Sequence, residues 1–178
     1  MKLLFSDFDR TLYVNKNITQ ENLDAINKWQ EMGNLFIITT GRYKKSIIEQ
    51  MKNFSLKPDY YICNNGAVIL DKEQNTIFFK YIPNQEIEQI IQYIYKNYEN
   101  SLEIIEKERT IKIMNDVGID NHHSVDIILD KEHISSIKDV VQIHKKFDTE
   151  ERVNDLISNL NIRFRDSLVA YANVLNVD

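Results

Sequence analysis

One short stretch near the amino terminus, an apolar run followed by two aspartates, constrains the fold of this chain most strongly. Residues 2–6 form a run typical of a buried strand, and Asp7 and Asp9 follow it directly. If the backbone bends where the strand ends, both carboxylates reach one polar centre in the crevice where open α/β sheets bind ligands. Two carboxylates there suit Mg²⁺, and they can also divide the work of a nucleophile and a proton donor. A solvated turn is the alternative, because aspartate is common in turns.

The residues after this stretch predict a parallel sheet. Apolar residues recur at helical spacing between Thr19, a good N-cap, and Gly33, a good stop signal, and residues 35–39 form a second buried strand. Strand, helix and strand in this order predict a parallel pair with a right-handed crossover. The further elements expected in this half are a helix at about 43–54, a strand at 60–63, and a hairpin formed by 68–70 and 77–79.

Polar residues end all three of the predicted parallel strands. Asp7 and Asp9 follow the first, Thr40-Gly41-Arg42 the second, and Asn64-Asn65-Gly66 the third. Parallel strands place these ends on one edge of the sheet, so the three clusters should converge. The Thr40 hydroxyl can bind a ligand, and Gly41 lets the backbone approach one. Arg42 can bind an anion or brace a neighbouring carboxylate. Taken singly, the second cluster could start a helix, and Asn-Gly could form a turn.

These clusters together resemble the motifs of a known family. The apolar strand with Asp7, Asp9 and Thr11 matches the pattern hhhhDxDxT, the first motif of the haloacid dehalogenase superfamily. Thr-Gly-Arg after the second strand and Asn-Gly-Ala after the third are similar to the Cof-type branch, whose members are sugar-phosphate phosphatases. The resemblance implies a three-layer α/β core with a parallel sheet, and an α/β cap domain inserted after the third strand.

The resemblance also implies a role for each matching residue. Asp7 would be the nucleophile and Asp9 the acid/base, both would hold the cofactor Mg²⁺, and the Thr40 hydroxyl would hold the transferred phosphoryl group. The expected substrate- and phosphate-binding residues are Thr11, Gly41, Arg42, Asn65 and Gly66. One position departs from the family, because Arg10 stands where glycine is usual. A long side chain there could crowd the loop or point to solvent.

Beyond Pro83 the pattern changes to that of an α+β unit, which fits the implied cap. The expected divisions are a core part at 1–81, the cap at 82–170, and the start of a return to the core at 171–178. The expected elements of the cap are a helix after Pro83, strands at 102–105, 110–114, 125–129 and 140–143, a helix with a capping box formed by Asp148 and Glu151, and strands at 162–165 and 168–171. Polar loops at 115–124 are expected to face the catalytic edge.

The resemblance covers about the first two-thirds of a full-length family member. After the point where this sequence ends, the family has a lysine and a GDxxxD-type carboxylate pair, which normally help to neutralise the phosphate and bind Mg²⁺. The expectation is a phosphatase of small phosphoric monoesters that is impaired in this chain, with self-association through the incomplete core. The alternative is a non-catalytic remnant or interaction module. A response-regulator receiver fits poorly, because its phosphoacceptor would lie where this chain has Asn64 and Asn65.

Composition narrows the classes of partner. The net charge is −5 and the basic pairs at 44–45 and 145–146 are isolated, which argues against nucleic acid. No apolar run approaches the ~18 residues of a membrane span. The single cysteine, Cys63, excludes an internal disulfide and favours the cytoplasm, and it is expected to be a buried structural thiol. A small phosphorylated metabolite is the expected ligand.

Overall fold

The α/β class predicted from the sequence is confirmed by a computed structural model, which describes residues 1–98, 102–107, 109–113, 127–129 and 131–172. The chain divides into two units, Met1–Lys80 and Tyr81–Asp178. The first unit holds a five-stranded sheet whose strands lie side by side in chain order. These strands are β1 (Leu3–Asp7), β2 (Leu35–Thr39), β3 (Tyr60–Cys63), β4 (Val68–Asp71) and β5 (Thr76–Phe79). The pairs β1–β2 and β2–β3 are parallel, whereas β3–β4 and β4–β5 are antiparallel. The predicted parallel strands and hairpin are therefore confirmed. The expectation that the first strand is buried is wrong, because β1 is the first strand in the sheet order and its Leu3 and Phe5 are exposed.

Two helices connect the parallel strands of the first unit. Helix α1 (Gln20–Glu31) begins after Thr19, whose hydroxyl accepts the Asn22 N–H, so the predicted cap is confirmed. Helix α2 (Lys44–Met51) is shorter than expected at both ends. Since both crossovers run in the same direction and such crossovers are right-handed, α1 and α2 lie on the same face of the sheet.

The two faces of this sheet differ in their exposure to solvent. Residues in register across the strands share a face, and the face that carries Phe36, Ile38, Tyr61 and Leu70 is buried. The opposite face carries Leu3, Phe5, Tyr60 and Phe78, all of which are exposed. Helices thus cover one side of the sheet, and apolar residues of β1, β3 and β5 are exposed on the other side, although Ile37 in its middle is buried.

The second unit holds a separate four-stranded sheet and two longer helices. Its elements are α3 (Asn84–Asn97), β6 (Leu102–Glu106), β7 (Thr110–Ile113), β8 (Ile127–Leu129), β9 (Val140–His144) and α4 (Glu150–Arg163). The strand order is β8-β7-β6-β9, with only β7–β8 parallel. Isoleucines dominate its buried cluster, among them Ile90 and Ile94 of α3 and Ile104 and Ile111 of the sheet.

No helix in the described part of the chain is long and apolar enough to cross a bilayer. The assignment of this unit as a cap stays a prediction.

The expected strands at 162–165 and 168–171 are wrong. Helix α4 continues to Arg163, a turn follows, and the chain at 168–172 is irregular. Leu156, Leu160 and Phe164 recur every four residues and pack on the cluster of the second unit, so the helical period outweighs the β-propensity of Ile162. The side chain of Asn161 then ties the irregular segment back, bonding the N–H and the carbonyl of Ala170 at 2.8 Å each.

The start of α4 also differs from the predicted capping box. Thr149, not Asp148, is the N-cap, and its hydroxyl accepts the Arg152 N–H at 3.4 Å. Asp148 instead accepts a hydrogen bond from the guanidinium of Arg152 at 3.2 Å. The polar loops at 115–124 and the return segment from 173 onward lie outside the described residues.

Candidate active site

The first aspartate, Asp7, lies at the carboxyl end of β1, where the chain turns. Its carboxylate is exposed, and its Oδ2 accepts a hydrogen bond from the Thr11 hydroxyl at 3.1 Å. The turn is closed by backbone bonds from Leu12 N–H to the Asp7 carbonyl at 3.3 Å and from Tyr13 N–H to the Phe8 carbonyl at 2.7 Å. The backbone bend expected from the sequence is therefore present. It leaves the Asp7 carboxylate accessible and oriented by one hydroxyl donor.

The second aspartate, Asp9, is held by Arg42 from the end of β2. The guanidinium donates from Nε to Oδ2 at 2.8 Å and from Nη2 to Oδ1 at 2.7 Å, so both carboxylate oxygens are engaged. The same guanidinium lies 5.3 Å from the ring centroid of Phe8 and 5.8 Å from that of Tyr13. The hydrogen bonds to Asp9 are the main reason that the pKa of Arg42 is raised. Of the two uses that the sequence left open for Arg42, the structure shows the carboxylate brace.

Phe8 and Tyr13 are contributors that the sequence analysis did not single out. Their rings stack at 5.0 Å between centroids, and both lie against the guanidinium of Arg42. Cation–π contacts of this kind fix the position of a guanidinium without consuming its donors. In the sequence, the position of Phe8 between the two aspartates could have indicated this contribution.

Backbone bonds join the ends of β2 and β3, which brings Thr40 and Asn65 together. Thr40 is 5% exposed, and its carbonyl accepts the Asn65 N–H at 3.2 Å. The Thr40 Oγ1 accepts the Arg42 N–H at 3.1 Å, so the hydroxyl proton can still be donated to a ligand. Since Asp7 is paired with Thr39 across β1 and β2, the three strand-end clusters converge as predicted. The chemical roles assigned to them stay predictions.

The third cluster forms a tight turn with an unusual backbone. Asn64, Asn65 and Gly66 have φ angles of 50°, 54° and 98°, all in the left-handed region that asparagine and glycine tolerate best. Gly41 faces this turn, because a Cβ at Gly41 would come within 3.0 Å of Asn65 Oδ1. A larger residue at position 41 would therefore require the Asn65 side chain to shift.

The backbone conformation of Arg10 bears on its departure from the resembled family, in which glycine is usual at this position. This residue has a φ of 64° and an exposed side chain. A left-handed conformation at this position is easy for glycine and strained for arginine. Of the two outcomes expected for its side chain, exposure to solvent is observed.

The donor set suits Mg²⁺ through Asp7 better than through Asp9. Mg²⁺ is commonly bound by one or two carboxylates, with waters and substrate oxygens completing the shell. The carboxylate of Asp7 is accessible, whereas that of Asp9 is committed to Arg42. Within the described ranges, no group of three or more His, Cys, Asp or Glu side chains could hold a metal ion. The residues present therefore fit a weakly held ion at Asp7.

Cys63 closes β3 on the buried face of the sheet. It is fully buried, and burial raises the pKa of its thiol to about 12. A neutral, inaccessible thiol has no nucleophilic role, so the predicted structural cysteine is confirmed.

Comparison with known proteins identifies a family across nearly the whole chain. A family model described as haloacid dehalogenase-like hydrolase matches residues 4–175. An uncharacterised protein of Mycoplasma capricolum is 37% identical over 110 residues, a match that covers 58% of this chain and 41% of that protein.

Solved structures share the fold at low sequence identity. A HAD/Cof-like hydrolase from Plasmodium vivax superposes with a TM-score of 0.77 at 23% identity, covering 97% of this chain and 65% of its own. A protein from Thermotoga maritima gives a TM-score of 0.70 at 23% identity, with 93% and 62% covered. A sugar phosphatase of HAD subclass IIB gives 0.70 at 24% identity, with 89% and 63% covered. This chain thus spans less than two-thirds of each of these proteins.

Proposed function

Because this chain belongs to the haloacid dehalogenase-like hydrolases, we propose that its site transfers the phosphoryl group of a small phosphoric monoester to Asp7 and then to water. The observation that carries the proposal is the exposed Asp7 carboxylate, oriented by Thr11 at the edge where the Thr40 and Asn65 loops meet. A carboxylate oxygen attacks phosphorus while the ester P–O bond breaks. The leaving oxygen takes a proton, and water then cleaves the aspartyl-phosphate to inorganic phosphate and restores Asp7.

The remaining residues act by positioning and electrostatics, which carry most of the catalysis in phosphoryl transfer. Asp9 moves the proton to the leaving oxygen and later from the attacking water, which requires one of its carboxylate oxygens to be released from Arg42. Thr40 donates its hydroxyl proton to a phosphoryl oxygen, and the Asn65 side chain and the backbone at Gly41 and Gly66 line the opposite side. Mg²⁺, held through Asp7, would supply positive charge to the same oxygens.

Sugar phosphates are the proposed substrate class. The fold is shared with a protein described as a HAD subclass IIB sugar phosphatase, and the motifs at Thr40–Arg42 and Asn65–Ala67 resemble the Cof-type branch. Residues of the second unit are proposed to choose among these substrates.

The turnover of this chain is proposed to be weak. Arg42, the cation that the structure places against Asp9, is already paired with that carboxylate, so it neutralises the charge of an incoming phosphate poorly. Losing one well-placed electrostatic group typically costs ~10²–10³ in rate. A loss of about this size is therefore expected for this site.

Two measurements, of phosphate hydrolysis and of ligand binding, distinguish this proposal from its alternative, a non-catalytic module. We expect the purified chain with Mg²⁺ to hydrolyse an aryl phosphate barely above background. A relative's carboxyl-terminal segment, added fused or in trans, should restore turnover, and Asp7→Asn should abolish what is restored.

Beryllofluoride, which mimics an aspartyl-phosphate, tests the site without needing turnover. Fluorine NMR should show binding that Asp7→Asn removes and that Asp24→Asn, a carboxylate on α1, leaves intact. Absence of both binding and restored turnover would favour the non-catalytic module, whose supporting observation is the complete engagement of Asp9 by Arg42. Robust hydrolysis by the unaided chain, removed by Asp7→Asn, would show that the site needs no further cation.

A further inference from the structure

The ring of Phe147, in the connection between β9 and α4, holds two positively charged side chains. The Lys145 ammonium lies 5.7 Å from the centroid of this ring, and the Arg152 guanidinium lies 5.2 Å from it. The ring itself packs against the buried cluster of the second unit and meets the Tyr98 ring edge to face, at 5.8 Å between centroids. Each cation is attracted to the ring, but the two like charges repel each other. A fixed aromatic ring therefore keeps a lysine and an arginine together.

Lys145 is the one of the two cations that can relieve this repulsion by losing its proton. The guanidinium of Arg152 keeps its charge at any ordinary pH, and its Nη1 donates to Asp148 Oδ1 at 3.2 Å. Lys145 is partly buried. Burial is the main reason that the pKa of Lys145 is lowered to about 8, and the charge of Arg152 acts in the same direction. At pH 7 roughly a tenth of Lys145 is therefore a neutral amine, against fewer than about one in a thousand for an ordinary lysine.

The next residue, Lys146, carries the same amine in different surroundings. It is exposed, and its charge contributes to the lowered pKa of Glu103, for which His144 is the main cause. Lys146 thus lies on the side of the chain that faces a carboxylate, whereas Lys145 lies on the side that faces Arg152. These two adjacent lysines therefore provide an internal comparison.

The surroundings of Lys145 suit covalent chemistry with carbonyl compounds. A lysine that is desolvated and lies beside another cation is activated as a nucleophile toward them. The charge of Arg152 also attracts anions, and its planar guanidinium suits a carboxylate or a phosphate. We propose that Lys145 forms an imine with small aldehydes that carry a negative charge. The neutral amine attacks the carbonyl carbon, the C–N bond forms, and the carbonyl oxygen leaves as water with the two amine protons. Imine formation involves no oxidation or reduction, and it needs no turnover at Asp7.

Reductive trapping on the full chain tests the reactivity of Lys145. The probe is glyoxylate, a two-carbon aldehyde with a carboxylate, and cyanoborohydride reduces the imine to a stable secondary amine. Mass spectrometry with peptide fragmentation then measures the labelling at positions 145 and 146 separately. Near neutral pH we expect Lys145 to be labelled about tenfold faster than Lys146, because its neutral share exceeds that of an ordinary lysine by more than partial burial restricts access. Equal labelling of the two lysines, or faster labelling of Lys146, would overturn the proposal.

A neutral aldehyde of the same length tests the part played by the negative charge. Glycolaldehyde carries a hydroxyl group where glyoxylate carries its carboxylate. The ratio of labelling at Lys145 to labelling at Lys146 should be about threefold smaller with glycolaldehyde, because Arg152 attracts only the anionic probe. The same ratio with both aldehydes would show that the site does not select a negative charge, contrary to what is proposed.

Variants of Arg152 test whether this cation activates Lys145. Arg152→Gln should slow glyoxylate labelling of Lys145 several-fold and reduce the difference between the two aldehydes, whereas Arg152→Lys keeps the charge and should retain most of the labelling. Arg163→Gln is the matched control, because Arg163 lies on the same helix but over a different ring, 4.7 Å from the centroid of Tyr93. Circular dichroism checks that each variant is folded. Unchanged labelling in Arg152→Gln, or an equal loss in Arg163→Gln, would refute activation by the cation beside Phe147.

Discussion

The two units of this chain distribute their apolar residues in opposite ways. In the second unit, α3, α4 and the sheet enclose an isoleucine-rich cluster whose largest members are fully buried. In the first unit, one face of the sheet is buried and the other exposes Leu3, Phe5 and Phe78. Each large apolar side chain of the second unit's cluster therefore contributes more stabilisation than one on the exposed face of the first unit's sheet.

The backbone shows the same division. Six of the seven non-glycine residues with positive φ in the described ranges lie in the first unit, including Arg10, Asn64 and Asn65 at the candidate site. Such conformations cost free energy and persist where surrounding contacts enforce them. The first unit therefore gives up backbone stability in its loops, including those that shape the strand ends, whereas the second is organised around packing.

The largest expected difference between the units is in the cost of removing an apolar side chain. Ile104→Ala in the second unit should lower the free energy of unfolding by about 3 kcal/mol, because the isoleucine is fully buried and a cavity remains. Phe78→Ala in the first unit removes a larger side chain but should cost about 1 kcal/mol, since Phe78 is 48% exposed. Denaturant unfolding followed by circular dichroism measures both. Equal losses would contradict this difference in burial between the two side chains.

A smaller effect is expected from the polar contact that supports the second unit's cluster. The Tyr98 hydroxyl donates to Asp155 Oδ2 at 2.6 Å and accepts from Asn159 Nδ2 at 3.2 Å. Burial and this bond to Asp155 raise the pKa of Tyr98. Tyr98→Phe should cost about 1–2 kcal/mol, as expected for a lost hydrogen bond to a charged group. Tyr60→Phe on the open face of the first unit is the control, and a loss there as large as at Tyr98 would contradict the assignment.

Introducing a glycine at one position and removing one at another tests the backbone strain in the first unit. Arg10→Gly should stabilise the chain by up to about 1 kcal/mol, because glycine adopts a φ of 64° without strain. Gly33→Ala should destabilise it by about 1 kcal/mol through a φ of 75°, since no atom lies within 4 Å of the added Cβ. Thermal unfolding reports both signs. A destabilising Arg10→Gly would mean that the arginine side chain contributes more than its backbone costs.

The smallest expected effect is a pH dependence confined to the second unit. The approach of His144, whose Nδ1 lies 3.9 Å from Glu103 Oε2, is the main reason that the pKa of Glu103 is lowered from its ordinary 4.5, against the opposing effect of burial. A lowered folded pKa adds stability above the ordinary value, and this is lost as the pH falls through the folded pKa. Unfolding measured from pH 6 down to 3 should show less acid destabilisation in Glu103→Gln than in the parent. Identical pH profiles would refute the contribution.

The sequence predicted those helices and strands for which the spacing of apolar residues and the residues at the two ends indicate the same element. The strands before Asp7, Thr40 and Asn64 are short apolar runs with polar ends, so both their positions and their convergence could be predicted. The carboxyl end of α4 could not, because the β-branched Ile162 favours a strand and only packing of Phe164 on the cluster reveals the helix. The partner of Arg42 was undecided for a similar reason. Its pairing with Asp9 depends on how the folded chain places the two side chains beside the rings of Phe8 and Tyr13, which no spacing along the chain encodes.

The buried thiol at the end of β3 can be used to measure how often the structure around it opens. Cys63 is the only cysteine, it is fully buried, and its pKa of about 12 keeps it uncharged near neutrality. An alkylating reagent can react with it only while the structure covering the buried face of the sheet at β3 is open. The alkylation rate, divided by that of an unfolded control, therefore gives the fraction of time that this thiol is accessible. Because Cys63 directly precedes the Asn64–Gly66 turn, that fraction reports local opening next to the candidate site.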